Sequence, residues 1–191
     1  MTAPARLFLE RIDTPIGGFS IVTDEEGRLR TGSFGERGHV ERELAARGVA
    51  GPFVLVAPPS PTACTAAMER YFAGELSAID ALSVSTSGTP FQASVWSALR
   101  EIPCGATWSY SDLARRIGNP AAVRAVGLAN GANPIAVVVP CHRVIGADGS
   151  LTGYAGGIER KRWLLAHEGA LPAEQLSLGA TFERPLARSR P

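Results

Sequence analysis

Cysteine is scarce in this chain, with three in 191 residues, at positions 64, 104 and 141. The number is odd and no two form a Cys-x-x-Cys pair, so neither a disulfide framework nor the usual zinc-ligand spacing is present. Long apolar runs are missing as well. The opening MTAPARLFLERID lacks the apolar centre of a secretory signal, and no stretch approaches the ~20 apolar residues that a membrane helix needs. A reducing cytoplasm fits, where thiols stay available for chemistry. The formal net charge is only +1, so the whole chain is not strongly polarised. The halves differ, however. Residues 1–90 contain eight Arg and no Lys against eleven Asp and Glu, a net of −3, whereas residues 91–191 carry eleven Lys and Arg against seven acids, a net of +4. A basic second half suggests an anionic partner there, with a solvated surface as the bland alternative.

What is present supports one full core or two small lobes sharing an interface, since 45% of the residues are hydrophobic. RLFLERI, GGFSIVT and RLRTGSF are strand-like runs separated by the turn signals TPIGG and DEEG, which predicts an antiparallel meander. HVERELAARG reads as a helix stopped by Gly48, and TACTAAMERYFAG as a second helix. A lobe boundary falls near Ser85–Pro90. Beyond it, PFQASVWSALREIPCG places Phe91, Val95, Ala98, Leu99 and Ile102 on one helical face. IAVVV, from Ile135, reads as a buried strand or extended run, and IERKRWLLAHEG as a final helix closed by Gly169. The expected fold is α+β: an N-terminal lobe over residues 1–85 with a short antiparallel sheet and helices, a mainly helical lobe over 86–170, and a loosely held tail over 171–191.

SYSDLARRIGNPAAVRAVGLANG is two short helices around Gly118-Asn119, which is helix-turn-helix spacing. Ser109 and Asp112 have capping-box spacing, and Pro120 can open the second helix. Ala121, Ala125 and Ala129 recur at i, i+4, i+8 and form a small, smooth face beside Arg124. A reader of base sequence would carry Asn, Gln or several Arg there; a methyl face suits close approach to a groove wall held by phosphate contacts. The same alanines could instead pack against the other lobe, and their pattern leaves both readings open.

VVPCHRVIGADG ends an apolar run with a proline and then sets Cys141, His142 and Arg143 side by side. A free thiol is only a few per cent thiolate at neutral pH and needs a base or a positive field to attack carbon. His142 can accept its proton, directly or through a water, provided an acceptor orients its other nitrogen. Glu168 is the best carboxylate for that. As an anion at a helix C-terminus it opposes the helix dipole by roughly 0.3–1 kcal/mol, which a partner would explain. Inert, buried cysteine is the competing reading for all three thiols and the favoured one for Cys64 and Cys104.

PCHRVI, followed by GYAGG and WLLAHEG, resembles the O6-alkylguanine-DNA alkyltransferases (methylated-DNA–protein-cysteine methyltransferases). The resemblance runs almost without a break over about residues 89–170; residues 1–85 share only length and strand pattern. It implies that Cys141 takes the alkyl group from a damaged guanine, that His142 is its base through a water, and that Glu168 orients His142. It implies further that Asn133 supports the active-site turn and that Tyr110 assists the leaving guanine. Arg124 would replace the extruded nucleotide, while the helix of about residues 120–129, with Ala121, Ala122, Ala125 and Ala129, enters the minor groove. Tyr154, Val144, Gly153, Ala155 and Gly156 would line the base pocket, Ala155 standing where some relatives carry serine. Relatives that bind the damage without repairing it carry tryptophan at the position of Cys141. Some relatives hold zinc in the first lobe, but Cys64 and His39 are too few for a four-ligand site, so neither metal nor cofactor is expected.

The implied partner is double-stranded DNA bearing alkylated guanine, bound in the cytoplasm by a monomer and away from membranes; assembly of several copies along a strand stays open. The implied reaction is one irreversible transfer per molecule, from O6-alkylguanine and O4-alkylthymine. Three alternatives remain at this point: an inert alkyl-damage sensor or DNA-binding regulator, a cysteine hydrolase, and a structural module without DNA affinity.

Overall fold

The computed structural model describes residues 4–46 and 51–171. It opens with β1 (Ala5–Thr14), β2 (Gly17–Thr23) and β3 (Leu29–Ser33), then α1 (Arg37–Ala46) and β4 (Phe53–Val56). The sheet order is β3-β2-β1-β4. The antiparallel meander expected from the sequence covers the first three strands, while β4 pairs with β1 in parallel after the α1 crossover. With only four residues, β4 is too short for a periodicity to announce it. Alternation along β2 sends Phe19 and Ile21 into the main core and Val22 to a smaller cluster with Val40, Leu44 and Leu55 under α1. Both faces of the sheet are therefore covered.

After α2 (Ala63–Phe72) and a single 3-10 turn at Leu76–Ile79, the connecting chain returns to the sheet. Leu29 N–H donates to Ser83 O and Ser85 N–H to Leu29 O, both at 2.9 Å. The helical half follows as α3 (Pro90–Leu99), β5 (Trp108–Ser109), α4 (Tyr110–Arg116), α5 (Val123–Gly131), β6 (Val144–Ile145) and α6 (Ile158–His167). Two of these helix starts have a clear local cause. Thr89 and Gln92 form a reciprocal capping box with Pro90 in the first turn of α3, and Ser109 with Asp112 does the same for α4. Hydrogen bonds from Ser109 hold the Asp112 carboxyl down at about 2. The stop of α4 is a Schellman motif: Gly118 takes φ +74°, and the amides of Gly118 and Asn119 bond back to Arg115 O and Ala114 O. This closes the helix-turn-helix corner.

One core runs through both lobes. Phe19, Ile21, Met68 and Tyr71 from the first half are buried in a single cluster with Val95, Leu99, Leu113, Val139 and Leu164 from the second. The expected stop at Gly48 lies outside the described residues, as does the expected tail beyond residue 171.

Candidate active site and nucleic-acid interface

The run Ile135–Val139 is not a strand. Ile135 makes only an isolated bridge to Gly32, Val138 and Val139 amides turn back to Ala136 O and Ile135 O, and Val137 lies at φ +74°. A β-branched residue in the left-handed region is strained and persists only where its surroundings fix it. Asn133 does the fixing: its Nδ2 donates to Val139 O at 2.7 Å and Ile135 O at 3.3 Å, while its Oδ1 accepts from Ile135 N at 3.0 Å. Apolar, β-branched composition suggests a strand, but this one side chain supplies the backbone partners that wind the run into turns. The sheet edge buttresses it, because Gly32 N–H donates to Pro134 O and Gly32 O accepts from Ala136 N–H. A Cβ at Gly32 would stand 3.1 Å from Ala136 O and from the Phe19 ring, so the close approach needs glycine.

The coil delivers Cys141 to a short 3-10 turn, Cys141–Arg143, with all three residues buried. His142 Nε2 lies 3.0 Å from Glu168 Oε1 at the end of α6. Arg143 donates to both oxygens of the same carboxylate, Nε to Oε2 at 2.8 Å and Nη2 to Oε1 at 2.9 Å, and its Nη1 donates to Ile102 O. Tyr71 from α2 donates to Oε1 at 2.7 Å. The acid at the wrong end of a helix is thus answered by neighbouring donors rather than by solvent. Burial alone would raise the Glu168 pKa, but His142 and Arg143 overcome it and hold the carboxyl well below its usual range. Burial pulls His142 down, against Glu168, and so keeps the imidazole neutral. Its Nδ1 is buried and has no hydrogen-bond partner among the described residues. Burial pushes the Cys141 thiol up, against the pull of the Asn133 amide and the Lys161 ammonium. The resting group is a thiol next to a neutral base whose Nε2 is anchored on Glu168.

Cys141 lines a cavity of about 270 Å³ between the lobes, with Phe34, Asn130, Ala136 and Tyr154 among its walls. Gly153, Ala155 and Gly156 also face this cavity. Val144 does not; it is fully buried behind the site. The Tyr154 hydroxyl and Asn130 Oδ1 are buried without partners among the described residues. Tyr110 stands beside the glycine-rich loop, its hydroxyl 3.5 Å from Thr152 O. The cavity thus offers buried polar atoms to a molecule that enters it.

The outer face of the helix-turn-helix departs from the sequence expectation at one point. Ala121, Arg124 and Ala125 are exposed and Ala122 is half-buried, but Ala129 is buried, and the Trp96 indole N–H donates to its carbonyl at 2.9 Å. The α-helix starts at Val123, after a 3-10 turn at Pro120–Ala122, and it is Leu128, at 73% exposure, that stands outward beside Arg124 and Ala125. Arg124 makes no hydrogen bond or ion pair among the described residues, whereas Arg115 and Arg116 are paired with Asp112 and Glu101.

Three participants escaped the sequence reading: Tyr71, Arg143 in its carboxylate role, and Lys161. The chain's single lysine is fully buried and donates to Val144 O and Thr152 O, each at 2.6 Å, tying β6 to the loop that carries Tyr154. Its signal was its phase, since Lys161, Leu164 and Leu165 share the buried face of α6. Cys104, expected to be buried, is exposed. Burial lowers the Lys161 pKa to about 8. Between there and about 10.4 the unfolded chain holds the extra proton. The burden of this lysine on stability is therefore full below pH 8 and lifts as pH rises through that window. Measured by urea unfolding at pH 8 and pH 10, the parent gains stability relative to Lys161→Met over this interval; a constant difference would contradict the assignment.

The fold sets a helix-turn-helix beside a buried cysteine–histidine–glutamate cluster. The model of the 6-O-methylguanine DNA methyltransferase DNA-binding domain matches residues 90–170. A methylated-DNA–protein-cysteine methyltransferase of Salmonella typhimurium is 50% identical over 167 residues, covering 87% of this chain and 98% of that protein. The crystal structure of Mycobacterium tuberculosis O6-methylguanine methyltransferase superposes with a TM-score of 0.69 at 40% identity, covering 86% of this chain and 93% of that one. The structure of M. tuberculosis OGT in complex with DNA gives 0.71 at 40% identity, over 90% and 98% of the two chains. The chain belongs to the methylated-DNA–protein-cysteine methyltransferase family.

Proposed function

We propose that the protein repairs alkylated DNA by a single, irreversible transfer. It binds the duplex through the minor groove with α5, turns an O6-alkylguanine or O4-alkylthymine out of the stack, and moves the alkyl group to Cys141 Sγ. The observation that carries this reading is the buried Cys141–His142 pair at the cavity between the lobes, with His142 Nε2 fixed 3.0 Å from Glu168 Oε1. That arrangement suits removal of a thiol proton.

In the proposed step the S–C bond forms as the C–O6 bond breaks, and the electron pair of the latter stays with the purine. The thiol proton passes to His142, directly or through one water. The leaving guanine takes up a proton, a role the family resemblance gives to Tyr110. The product is a thioether, which has no carbonyl for water to attack, so each molecule reacts once. The target carbon is masked by stacking inside a duplex, and extrusion costs a few kcal/mol. Arg124, exposed beside Ala121, Ala125 and Leu128 and without an ion pair among the described residues, fits the vacated position and offsets part of that cost.

Incubation with a duplex carrying one O6-methylguanine should add the mass of one CH2 to the Cys141 peptide and then stop at one per protein; repeated turnover, or no gain, would refute the reading. Arg124→Ala should slow transfer from duplex DNA roughly tenfold or more while reaction with free alkylguanine base is little changed. Equal losses on both substrates would remove Arg124 from the extrusion step.

A further inference from the structure

We propose that Tyr71, from the N-terminal lobe, is a positioning residue of the relay: its hydroxyl holds Glu168 and moderates how strongly that carboxylate acts on His142. The kinetic part of the test rests on the alkyl-transfer reading; the titration part does not.

The chain fixes Tyr71 from both ends of its helix. At the start of α2, Glu10 of β1 accepts from Thr62 N–H at 3.1 Å and from the Thr62 hydroxyl at 2.6 Å, and Thr62 Oγ1 accepts from Thr65 N–H. At its end, two consecutive residues of the other lobe grip residue 71. His167 Nε2 lies 2.8 Å from its carbonyl oxygen, and Glu168 Oε1 accepts from its hydroxyl at 2.7 Å. The ring is fully buried, edge-on to Phe72 and His167 at 5.2 Å. A phenol hydroxyl that far from solvent is costly unless an acceptor meets it. The acceptor here is the very oxygen that bonds His142. Tyr71 also lies outside the segment matched by the family's DNA-binding domain, which begins at residue 90.

Three donors share Glu168 Oε1: Tyr71, His142 and Arg143. Each added donor spreads the carboxylate charge and weakens its hold on the imidazole proton. Glu168 faces Tyr71 from α2, His142 and Arg143 from the active-site turn, and the Cys104 thiol from the loop after α3. Around His142 stand Glu168, Arg143, Cys141, Lys161 of α6 and the edge of Tyr154. Tyr71 itself faces Glu168, Arg143, Cys104 and His167. With its hydroxyl in place, the imidazole stays neutral and able to accept a proton. Without it, Glu168 favours the imidazolium, and the neutral base is lost over a wider acid range.

Tyr71→Phe keeps the ring and removes only the donor. Histidine-selective NMR titration is tractable because the chain has three histidines. In Tyr71→Phe the His142 pKa should rise by about one unit. The acid limb of methyl transfer should move to higher pH with it, with duplex affinity unchanged. Fluorotyrosine at position 71 alone, nearly isosteric and a stronger donor, should shift both in the opposite direction. A His142 titration that is unmoved in both proteins overturns the proposal and leaves Tyr71 a packing residue. Because the titration needs no DNA, a wild-type protein that fails to accept an alkyl group would count against the functional reading alone.

Discussion

Cys141→Ser should bind methylated duplex DNA as tightly as the parent and take up no methyl group. Serine is smaller than cysteine by little, and Cys141 is held by backbone bonds, its amide to Val139 O at 2.8 Å, which the substitution leaves intact. The turn and the neighbouring cavity therefore persist. Reactivity does not, because a hydroxyl is far less acidic than a thiol and its oxygen is a poor nucleophile toward saturated carbon near neutral pH. Loss of the nucleophile should lower the transfer rate by roughly four orders of magnitude or more. Gel-shift titration and intact-protein mass on the same sample separate the two properties. A variant that gains mass would move the acceptor elsewhere, and one that loses DNA affinity would make Cys141 chiefly structural.

Glu168→Gln carries the second large effect, on stability as well as rate. The carboxylate accepts hydrogen bonds from Tyr71, His142 and Arg143 in a buried place. An amide offers one oxygen and turns an NH2 toward those donors, and Arg143 keeps a buried charge without its counter-ion. Breaking such a pair costs about 3–5 kcal/mol, equivalent to roughly 10 °C in Tm for a chain of this size. Transfer should slow about a hundredfold or more, since the imidazole loses the acceptor that sets its tautomer. The pH dependence has a definite sign. A carboxyl whose folded pKa is depressed contributes stability that is fully present above its unfolded pKa, about 4.3, and is lost as pH falls through the lower folded value. The stability gap between parent and variant should hold at pH 7 and shrink on acidification below about pH 4. A gap that stays constant to pH 3 would mean Glu168 is not the charged anchor of the network.

Much of this was legible in the sequence because it is local. Ser109 and Asp112, Gly118, Pro120 and the Cys141–His142 pair act within a few residues, where capping and turn chemistry are read directly. Glu168 was legible for another reason: a carboxylate at a helix C-terminus needs an explanation. What escaped depends on distance along the chain. Tyr71 meets Glu168 from 97 positions away, and nothing in MERYF distinguishes a phenol that anchors a carboxylate from one that fills a core. Lys161 stands among charged neighbours in IERKR, and only its phase with Leu164 and Leu165 places it inside. Val137 kept a strand-like composition, and the clamp that overrides it is a side chain two residues before the run. Ala129 falls off the outer face because each i, i+4 step turns about 40° around the helix, and two such steps from Ala121 bring position 129 against Trp96 of α3.

The contact between Gly32 and the coil leading to Cys141 has a further consequence. The Cys141 sulfur sits in a bend that is cast against a mould, and the mould is the far rim of a sheet that contributes none of Cys141, His142 and Glu168. A gene encoding only the second half would yield every reacting side chain with no template to shape the bend, and would expose the apolar flank that Phe19 and Met68 now cover. Selection for a working sulfur therefore reaches into the opening strands, and harmful substitutions should be spread along both halves of the polypeptide instead of gathering around residue 141.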